Sequence, residues 1–222
     1  VQTCALPISG IGGYIHGYYW RLALAPCVLT LLHITAWETL AACVGLMIAA
    51  RLATEESLIA MQVDALLTPY VVSSEKSKSE DIQLILHALL DIEHYNVKVA
   101  HRLILRHLSG DGNKPSDCVS RGLWEEFASL CNALHVQPVL VTVGLRERKL
   151  IKTVLGATSQ RQGVALNVEA LTEGYLQTPP MALGSRKRLR GEYQTVAQPV
   201  AKPNSLDRKS TRLNSSHANI SY

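Results

Sequence analysis

The order of apolar segments between residues 10 and 136 restricts the fold more than any other feature of this chain. Two segments rich in β-forming residues are joined by Gly17 and closed by Pro26, which predicts a hairpin. Segments with helical and strand character then alternate. The predicted strands cover 10–17, 18–24, 57–63 and 101–108, and the predicted helices cover 34–52, 79–95 and 117–136. This order predicts an α/β domain with a mixed sheet and flanking helices.

Composition allows such a domain to form a core. Hydrophobic residues make up 47% of the chain and charged residues 18%, which excludes disorder throughout. The net charge of +4 is too small to indicate a nucleic-acid-binding protein by itself. The five cysteines form no C-x-x-C pair, so the sequence indicates neither a zinc site nor a framework of disulfides.

Codons for the first eight residues of the chain, read as their reverse complement, encode a segment near its other end. Residues 1–8 read VQTCALPI, and the codons GTT CAG ACG TGT GCT CTT CCG ATC encode them. The reverse complement of these codons encodes DRKSTRLN, which is residues 207–214, and all eight positions agree. An oligonucleotide ligated to both ends of a cDNA insert explains this match, and the string resembles a common sequencing-library adapter. A polar, disordered tail is the alternative explanation for the C-terminal end.

The antisense match divides the chain into four parts. We expect residues 1–9 and 207–222 to derive from the adapter and to have no part in the fold. The predicted domain covers 10–136, and 137–206 is a helical and linker region of unknown role, with a short strand at 139–143 and one more helix. The remaining insert carries a net charge of +2, because the tail contributes +2. We expect it to be an internal piece of a longer protein.

Two segments have alternative interpretations. Residues 23–50 are apolar enough to suggest a small membrane protein, but Pro26, His33 and Glu38 make a membrane span costly. A core helix is therefore the preferred interpretation, with no membrane partner. The basic stretch RKRLR at 186–190 is interpreted first as a solvated charge run, with a nuclear address or a nucleic-acid contact as the alternatives. We expect an intracellular protein, and a nuclear address would place it in the nucleus.

Three acids occupy special places in the predicted order. Glu38 lies near the start of the long helix, Asp64 ends a buried strand, and Asp117 opens a helix after a Gly-rich loop. Carboxylates gathered beyond the strand ends of an open α/β sheet repel one another unless a cation neutralises them. Hard oxygen ligands suit Mg²⁺ or Mn²⁺, and two such ions can hydrolyse a phosphodiester.

Each acid also has a purely structural interpretation. Glu38 stands three residues after Thr35, which is the spacing of a capping box. Asp117 is a candidate helix cap, with Ser116 as the alternative, and Asp64 is a candidate for a solvated residue at a strand end. The metal hypothesis therefore depends on all three acids occurring together.

Three blocks of sequence contain these acids: HITAWETLA at 33–41, MQVDALLTPYVV at 61–72 and RHLSGDGNKPSDCVSRG at 106–122. Together they resemble the ribonuclease H domain of retroelement reverse transcriptases, most closely that of tyrosine-recombinase (DIRS-like) retrotransposons. The last block is the most specific of the three. Its matching residues are His107, Gly110, Asn113, Asp117, Ser120 and Arg121.

The resemblance implies a ribonuclease H-like fold and a function. In the family, positions equivalent to Glu38, Asp64 and Asp117 bind Mg²⁺ or Mn²⁺ and are catalytic, and the enzyme cleaves RNA in RNA–DNA hybrids. An upstream reverse transcriptase domain of the same polyprotein is the implied partner. Two departures are Ala65, where a polar residue is usual, and Ser116, where Ala is usual.

The resemblance also implies a missing strand. The family's first strand, which is central in the sheet and carries the first catalytic Asp, is expected just before Gly10, where the adapter now stands. Its loss would open a gap between neighbouring strands and remove one of four carboxylates. We therefore expect the intact parent to be a nuclease and this fragment to be inactive. The alternative is a ribonuclease H-like binding or structural module without metal chemistry.

Overall fold

The order of elements alternates between strands and helices along most of the chain. The structure is a computed structural model that describes residues 10–53, 58–63, 65–92, 103–108 and 112–166. These residues belong to the first of two units of the chain, Val1–Met181. The strands are β1 (Gly10–Ile15), β2 (Tyr18–Ala23), β3 (Ile59–Val63), β4 (Leu103–His107) and β5 (Val139–Leu140). The helices are α1 (Pro26–Leu29), α2 (Ile34–Leu52), α3 (Thr68–Ser74), α4 (Glu80–Ile92), α5 (Lys114–Arg121), α6 (Trp124–Ala133) and α7 (Leu145–Gln162).

The predicted hairpin is confirmed. Strands β1 and β2 pair antiparallel from Gly10↔Ala23 to Ile15↔Tyr18, and only His16 and Gly17 lie between them. Both turn residues have positive φ, 45° and 87°, as a type I′ turn requires. Strand β5 adds to the other side of β2 in parallel, so the first sheet has the order β1-β2-β5.

The first sheet is buried on both faces. Trp20 and Leu22 of β2 belong to the main core with helix α2, whereas Tyr19 belongs to a second cluster with Phe127 of α6. Alternate residues of a strand point to opposite faces, which explains the division. Helices therefore cover this sheet on two sides, α2 on one and α5 with α6 on the other.

Helix α2 has the predicted bounds, but its cap differs from the prediction. The capping box of Thr35 and Glu38 is wrong, because His33 is the N-cap and its Nδ1 accepts a hydrogen bond from the Thr35 backbone at 3.4 Å. Thr35 already lies inside the helix, where its carbonyl accepts a hydrogen bond from Thr39 Oγ1. Histidine is not a usual cap, so the sequence pattern favoured the nearby threonine.

A second sheet consists of β3 and β4. The two strands run parallel, and their register extends from Ile59↔Leu103 to Val63↔His107. Ile59 packs against Leu46 and Ala49, so α2 contacts this sheet as well as the first. Among the residues described, no strand of one sheet pairs with a strand of the other.

The helix predicted over 117–136 is two helices. Gly122, with φ 74°, ends α5 in the left-handed conformation, and α6 begins at Trp124. Lys114 begins α5 inside the stretch predicted to be a loop. The strand predicted at 139–143 is also shorter, because β5 contains two residues.

The main core continues past residue 136. Helix α7 packs against α4 and α2, and its buried side chains are Leu150, Ile151, Val154 and Leu155. The helix predicted in 137–160 is confirmed, and it forms part of this core. The described residues therefore form a mixed α/β structure in which two small sheets share flanking helices.

Helix α2 is long and apolar enough to cross a membrane. A buried helix of a soluble protein meets the same criterion, and 67% of the helix's most apolar window is buried inside the structure. Trp37 on this helix is 2% exposed and donates its indole N–H to the Leu29 carbonyl at 3.0 Å. These contacts favour a core helix.

Candidate functional site

The ends of β3 and β4 meet at one edge of the second sheet. Val63 and His107 are register partners there, and the Leu108 amide donates to the Val63 carbonyl at 2.9 Å. Asp64 lies outside the described residues, but it follows Val63 directly in the sequence. Two of the three sequence blocks that resemble the retroelement domain therefore meet at the carboxyl edge of parallel strands, where open α/β sheets place their sites.

Glu38 occupies the second turn of α2. Its neighbours Trp37 and Thr39 are buried, whereas Glu38 itself is half-buried. Thr39 Oγ1 lies 3.3 Å from Thr68 Oγ1 of α3, and both side chains are fully buried. This contact ties the start of α2 to the helix that follows β3. Glu38 is thus held on a part of α2 that is fixed relative to the segment after Asp64.

Asp117 lies in the first turn of α5, but it is not the cap. Asn113 is the N-cap, and its carbonyl accepts the Asp117 amide at 3.1 Å. The cap hypotheses for Asp117 and Ser116 are therefore wrong. Pro115 occupies the start of the helix, where its missing N–H costs nothing. The negative charge of Asp117 is favourable in this first turn.

Two motif residues bond to Asp117 from within the same helix. Arg121 Nε lies 2.7 Å from Asp117 Oδ1, and Ser120 Oγ donates to the Asp117 carbonyl at 3.0 Å. The D-x-x-S-R pattern is thus a local unit that holds Asp117. The four-residue spacing of Asp117 and Arg121 is the sequence signal from which this ion pair could have been predicted.

The surroundings of Asp117 carry charges of both signs, since Arg121 opposes Glu126. Burial, followed by the charges of Glu126 and Asp117, raises the pKa of the Cys118 thiol. Cys118 Sγ lies 3.9 Å from Glu126 Oε2. The thiol next to Asp117 is therefore neutral at physiological pH and adds no further anion.

The other motif residues fall in different surroundings. His107 is exposed at the end of β4, and Asn113 caps α5 through its backbone. Gly110 lies outside the described residues. Among the described residues, the side chains of His107 and Asn113 are not part of the hydrogen-bonded unit around Asp117.

An Arg–aromatic contact next to α5 was not predicted. The guanidinium of Arg21 in β2 lies 5.7 Å from the centre of the Trp124 ring, and burial lowers the Arg21 pKa. Gly122 permits this arrangement, because a Cβ there would lie 3.3 Å from Arg21 Nη2. No sequence signal links residues 21 and 124, since the contact depends on how α6 packs on the sheet.

The described carboxylates do not by themselves form a metal site. No group of three or more His, Cys, Asp or Glu side chains suited to a metal occurs within the described ranges. Asp64, the residue expected to lie between Glu38 and Asp117, is not among them. Whether the three acids converge on Mg²⁺ or Mn²⁺ therefore stays a prediction.

Comparisons with known proteins do not assign this chain to a family. Protein-family models, curated proteins and solved structures all give no match to this chain.

Proposed function

We propose that this chain is a fragment of a retroelement polyprotein whose intact ribonuclease H-like domain hydrolyses the RNA strand of RNA–DNA hybrids. Glu38, Asp64 and Asp117 are the proposed catalytic carboxylates, with Mg²⁺ or Mn²⁺ as the cofactor. The 222-residue chain is proposed to be inactive, because the resemblance implies a further catalytic carboxylate on a strand that is not among residues 10–222.

The division of the strands into two sheets is the observation that carries this proposal. Strands β1 and β3 lie on the same side of α2, yet each pairs with only one neighbour among the described residues. A ribonuclease H-like sheet that lacks its central strand would divide at this position. A fold with two unrelated sheets would give no reason for both to rest on one helix.

The sequence blocks give a second line of support. The motif around Asp117 forms a compact hydrogen-bonded unit, and His107 ends a strand beside the residue that precedes Asp64. The residues that carry the resemblance therefore have defined structural roles.

The proposed residues have separable roles in such a reaction. Carboxylates at positions 38, 64 and 117 would hold the divalent ions, which supply an activated water and stabilise the leaving oxygen at the phosphodiester. Arg121 would orient Asp117 and balance its charge while no ion is bound. Contacts to the hybrid would be mainly to phosphates, so binding should weaken as salt increases.

The test restores the native residues upstream of Gly10 from the transcript. The extended chain should cleave a labelled RNA–DNA hybrid with Mg²⁺, and the 222-residue chain should not. Glu38→Gln, Asp64→Asn and Asp117→Asn should each reduce cleavage to background, because each removes one charged ligand without changing size. Asp91→Asn is the matched control, since Asp91 is an exposed carboxylate on α4, and it should leave cleavage unchanged.

Two outcomes would contradict the proposal. Cleavage that survives all three substitutions would refute the assignment of the carboxylates. A folded extended chain that shows no cleavage, and no thermal shift with Mg²⁺, would instead indicate the binding or structural module.

A further inference from the structure

Helix α7 lies beyond the blocks that resemble the retroelement domain, and its charge is one-sided. The helix contains a single acid, Glu147, which is 3% exposed and whose Oε1 lies 3.3 Å from Arg51 Nε at the end of α2. Its first eight residues contain four cations, two of them exposed and two half-buried. We call these four cations and the exposed Arg51 the basic face: Arg51, Arg146, Arg148, Lys149 and Lys152.

Backbone contacts and the core hold the basic face in place. Arg51 Nη2 donates to the Thr142 carbonyl at 2.8 Å, and Arg148 Nε donates to the Val143 carbonyl at 3.0 Å. The opposite side of α7 packs in the main core with α2 and α4. The cations therefore belong to a fixed surface of the folded domain.

The first-turn cations are not placed to stabilise the helix. Arg146 and Arg148 stand in the first turn of α7, where the helix dipole favours negative charge and opposes positive charge. Cations are favourable in the last turn, where α7 has Arg161 alone. The acid that suits the first turn, Glu147, is buried against Arg51. This arrangement indicates a use for the cations beyond the helix itself.

We propose that the basic face binds the phosphate backbone of a nucleic-acid duplex without reading its sequence. Arg146, Lys149 and Lys152 follow one another at three-residue spacing, so they form a row about 9 Å long on α7. Phosphates of one strand are about 3.4 Å apart along a duplex, so the row can reach about two or three of them. Taking the duplex to be an RNA–DNA hybrid rests on the proposed function, whereas the phosphate contacts do not depend on it.

The surroundings of the basic face favour a nucleic acid over other anionic partners. A helix binds an anionic membrane surface when its apolar side can enter the interface, but the apolar side of α7 is buried in the core. Protein partners usually require an apolar or aromatic centre, and the first eight residues of α7 expose one large apolar side chain, Leu145. Cations without such a centre are the pattern that suits phosphates.

Helix α2 sets the distance from the basic face to the candidate site. Glu38 and Arg51 stand near opposite ends of α2, about 20 Å apart along its axis. Charges that far apart are screened from each other at ordinary salt, where the screening length is about 10 Å. The basic face would therefore strengthen binding of the nucleic acid without changing the chemistry at the candidate carboxylates.

Fluorescence anisotropy of a labelled RNA–DNA hybrid tests the proposal on the 222-residue chain. Arg146→Gln together with Lys149→Gln should weaken binding about tenfold and reduce the salt slope of the binding constant by about two, because each removes one phosphate contact. A DNA duplex of the same sequence and length should show the same loss, since the phosphate backbone is common to both.

The matched control removes the same charge from another exposed position. Lys76→Gln together with Lys78→Gln changes two exposed lysines just before α4, between Glu75 and Glu80. Glu80 lies beside Arg161, at the other end of α7 from the basic face. This control pair should leave the affinity and the salt slope unchanged.

Three binding results would overturn the proposal. Equal losses from the two pairs would reduce the effect to net charge, and binding that neither pair weakens would place the nucleic acid on another surface. Vesicles of anionic phospholipid that bind as tightly as the hybrid, and lose this binding with Arg146→Gln and Lys149→Gln, would assign the face to a membrane surface.

Thermal unfolding separates binding from folding. The Arg146→Gln, Lys149→Gln chain should melt at the same temperature as the unchanged chain or slightly above it, because the dipole opposes these cations. If it melts lower, Arg146→Lys together with Lys149→Arg decides the question, because it keeps both charges. Binding retained by that chain supports the basic face, and binding lost by it overturns the proposal.

Kinetics of the chain extended upstream separate this inference from the proposed function. Arg146→Gln with Lys149→Gln should raise KM for the hybrid and leave kcat unchanged. Binding that depends on the basic face in an extended chain without cleavage would retain the surface and refute the nuclease. Cleavage with an unchanged KM would refute the basic face alone.

Discussion

At the scale of single residues, the most consequential ion pair lies away from the candidate site. Glu147, in the first turn of α7, is 3% exposed, and Arg51 Nε at the end of α2 lies 3.3 Å from its Oε1. Arg51 also donates to the Thr142 carbonyl at 2.8 Å. Arg51 thus compensates a buried carboxylate and contacts the loop before α7.

Arg51→Ala should destabilise the protein by about 1–3 kcal/mol, because it leaves a buried carboxylate without its cation. Urea unfolding measures the loss. The matched control is Arg161→Ala, which breaks the exposed pairs with Glu80 and Asp81 and should cost at most about 1 kcal/mol. Equal losses of unfolding free energy for the two variants would show that the ion pair between Arg51 and Glu147 does not stabilise the fold.

A second prediction at this scale concerns the cysteines. Burial raises the pKa of Cys43 to about 12 from an ordinary 9.0, whereas Cys27 is exposed. At pH 8 a thiol reagent should label Cys27 in the folded protein and reach Cys43 only after denaturation. Because the folded pKa is the higher one, the protonated thiol stabilises the fold fully below pH 9, and this contribution is lost as the pH rises toward 12.

The control for this pH dependence is Cys43→Ala. Its unfolding free energy should fall less steeply above pH 9 than that of the unchanged chain. Parallel curves for the two proteins, or rapid labelling of Cys43 at pH 8, would contradict the burial of this thiol.

At the scale of elements, local propensity predicts where the long helices lie better than it predicts the residues at which they end. The bounds of α2 follow from an unbroken run of helix-forming residues, but His33 caps it where Thr35 matched the usual pattern. The break between α5 and α6 was visible as Gly122, yet a single glycine inside a helical pattern is often tolerated. Ends depend on a few contacts, so the sequence predicts them less well.

Helix α5 and strand β1 approach so closely that only glycine fits at position 12. A Cβ there would lie 2.9 Å from Val119 Cγ1 and 3.0 Å from the Trp20 carbonyl oxygen. Gly12→Ala should therefore cost about 1–3 kcal/mol, because backbone atoms must move. Thermal or urea unfolding measures it.

Gly45→Ala provides the contrast within the same protein. The atom it would meet first is the mobile Met61 methyl, and alanine is favoured over glycine inside a helix by about 1 kcal/mol. This variant should be neutral or slightly stabilising. If both substitutions cost the same, the close approach of α5 to β1 is not what restricts position 12.

At the scale of the whole molecule, the sequence predicts the α/β class and most elements, but its patterns do not indicate which strands pair. The pairing of β5 with β2 joins segments about 120 residues apart, and pairings of this range leave no local signal. The metal-site hypothesis meets the same difficulty, since it requires three residues from separate elements to converge. An interruption of the sheet is implied by the resemblance to a known family and not by the strand patterns themselves.

The extent of the folded unit gives the last prediction. The resemblance ends near residue 136, but α7 contributes four aliphatic side chains to the main core that are 0–1% exposed, namely Leu150, Ile151, Val154 and Leu155. Each such side chain contributes about 1.5–3 kcal/mol by its burial. Their sum is comparable with the whole stability of a domain, about 5–15 kcal/mol.

A chain that ends at Val136 should therefore lose cooperative thermal unfolding and expose apolar surface to a hydrophobic dye. A chain that ends at Met181, the limit of the first unit, is the control and should keep the transition of the 222-residue protein. Because α7 packs on α2 and α4, its removal exposes the apolar surface that it covers on both helices. A chain ending at Val136 that melts like the longer one would mean that β1, β2 and α2 support the candidate site without β5 and α7.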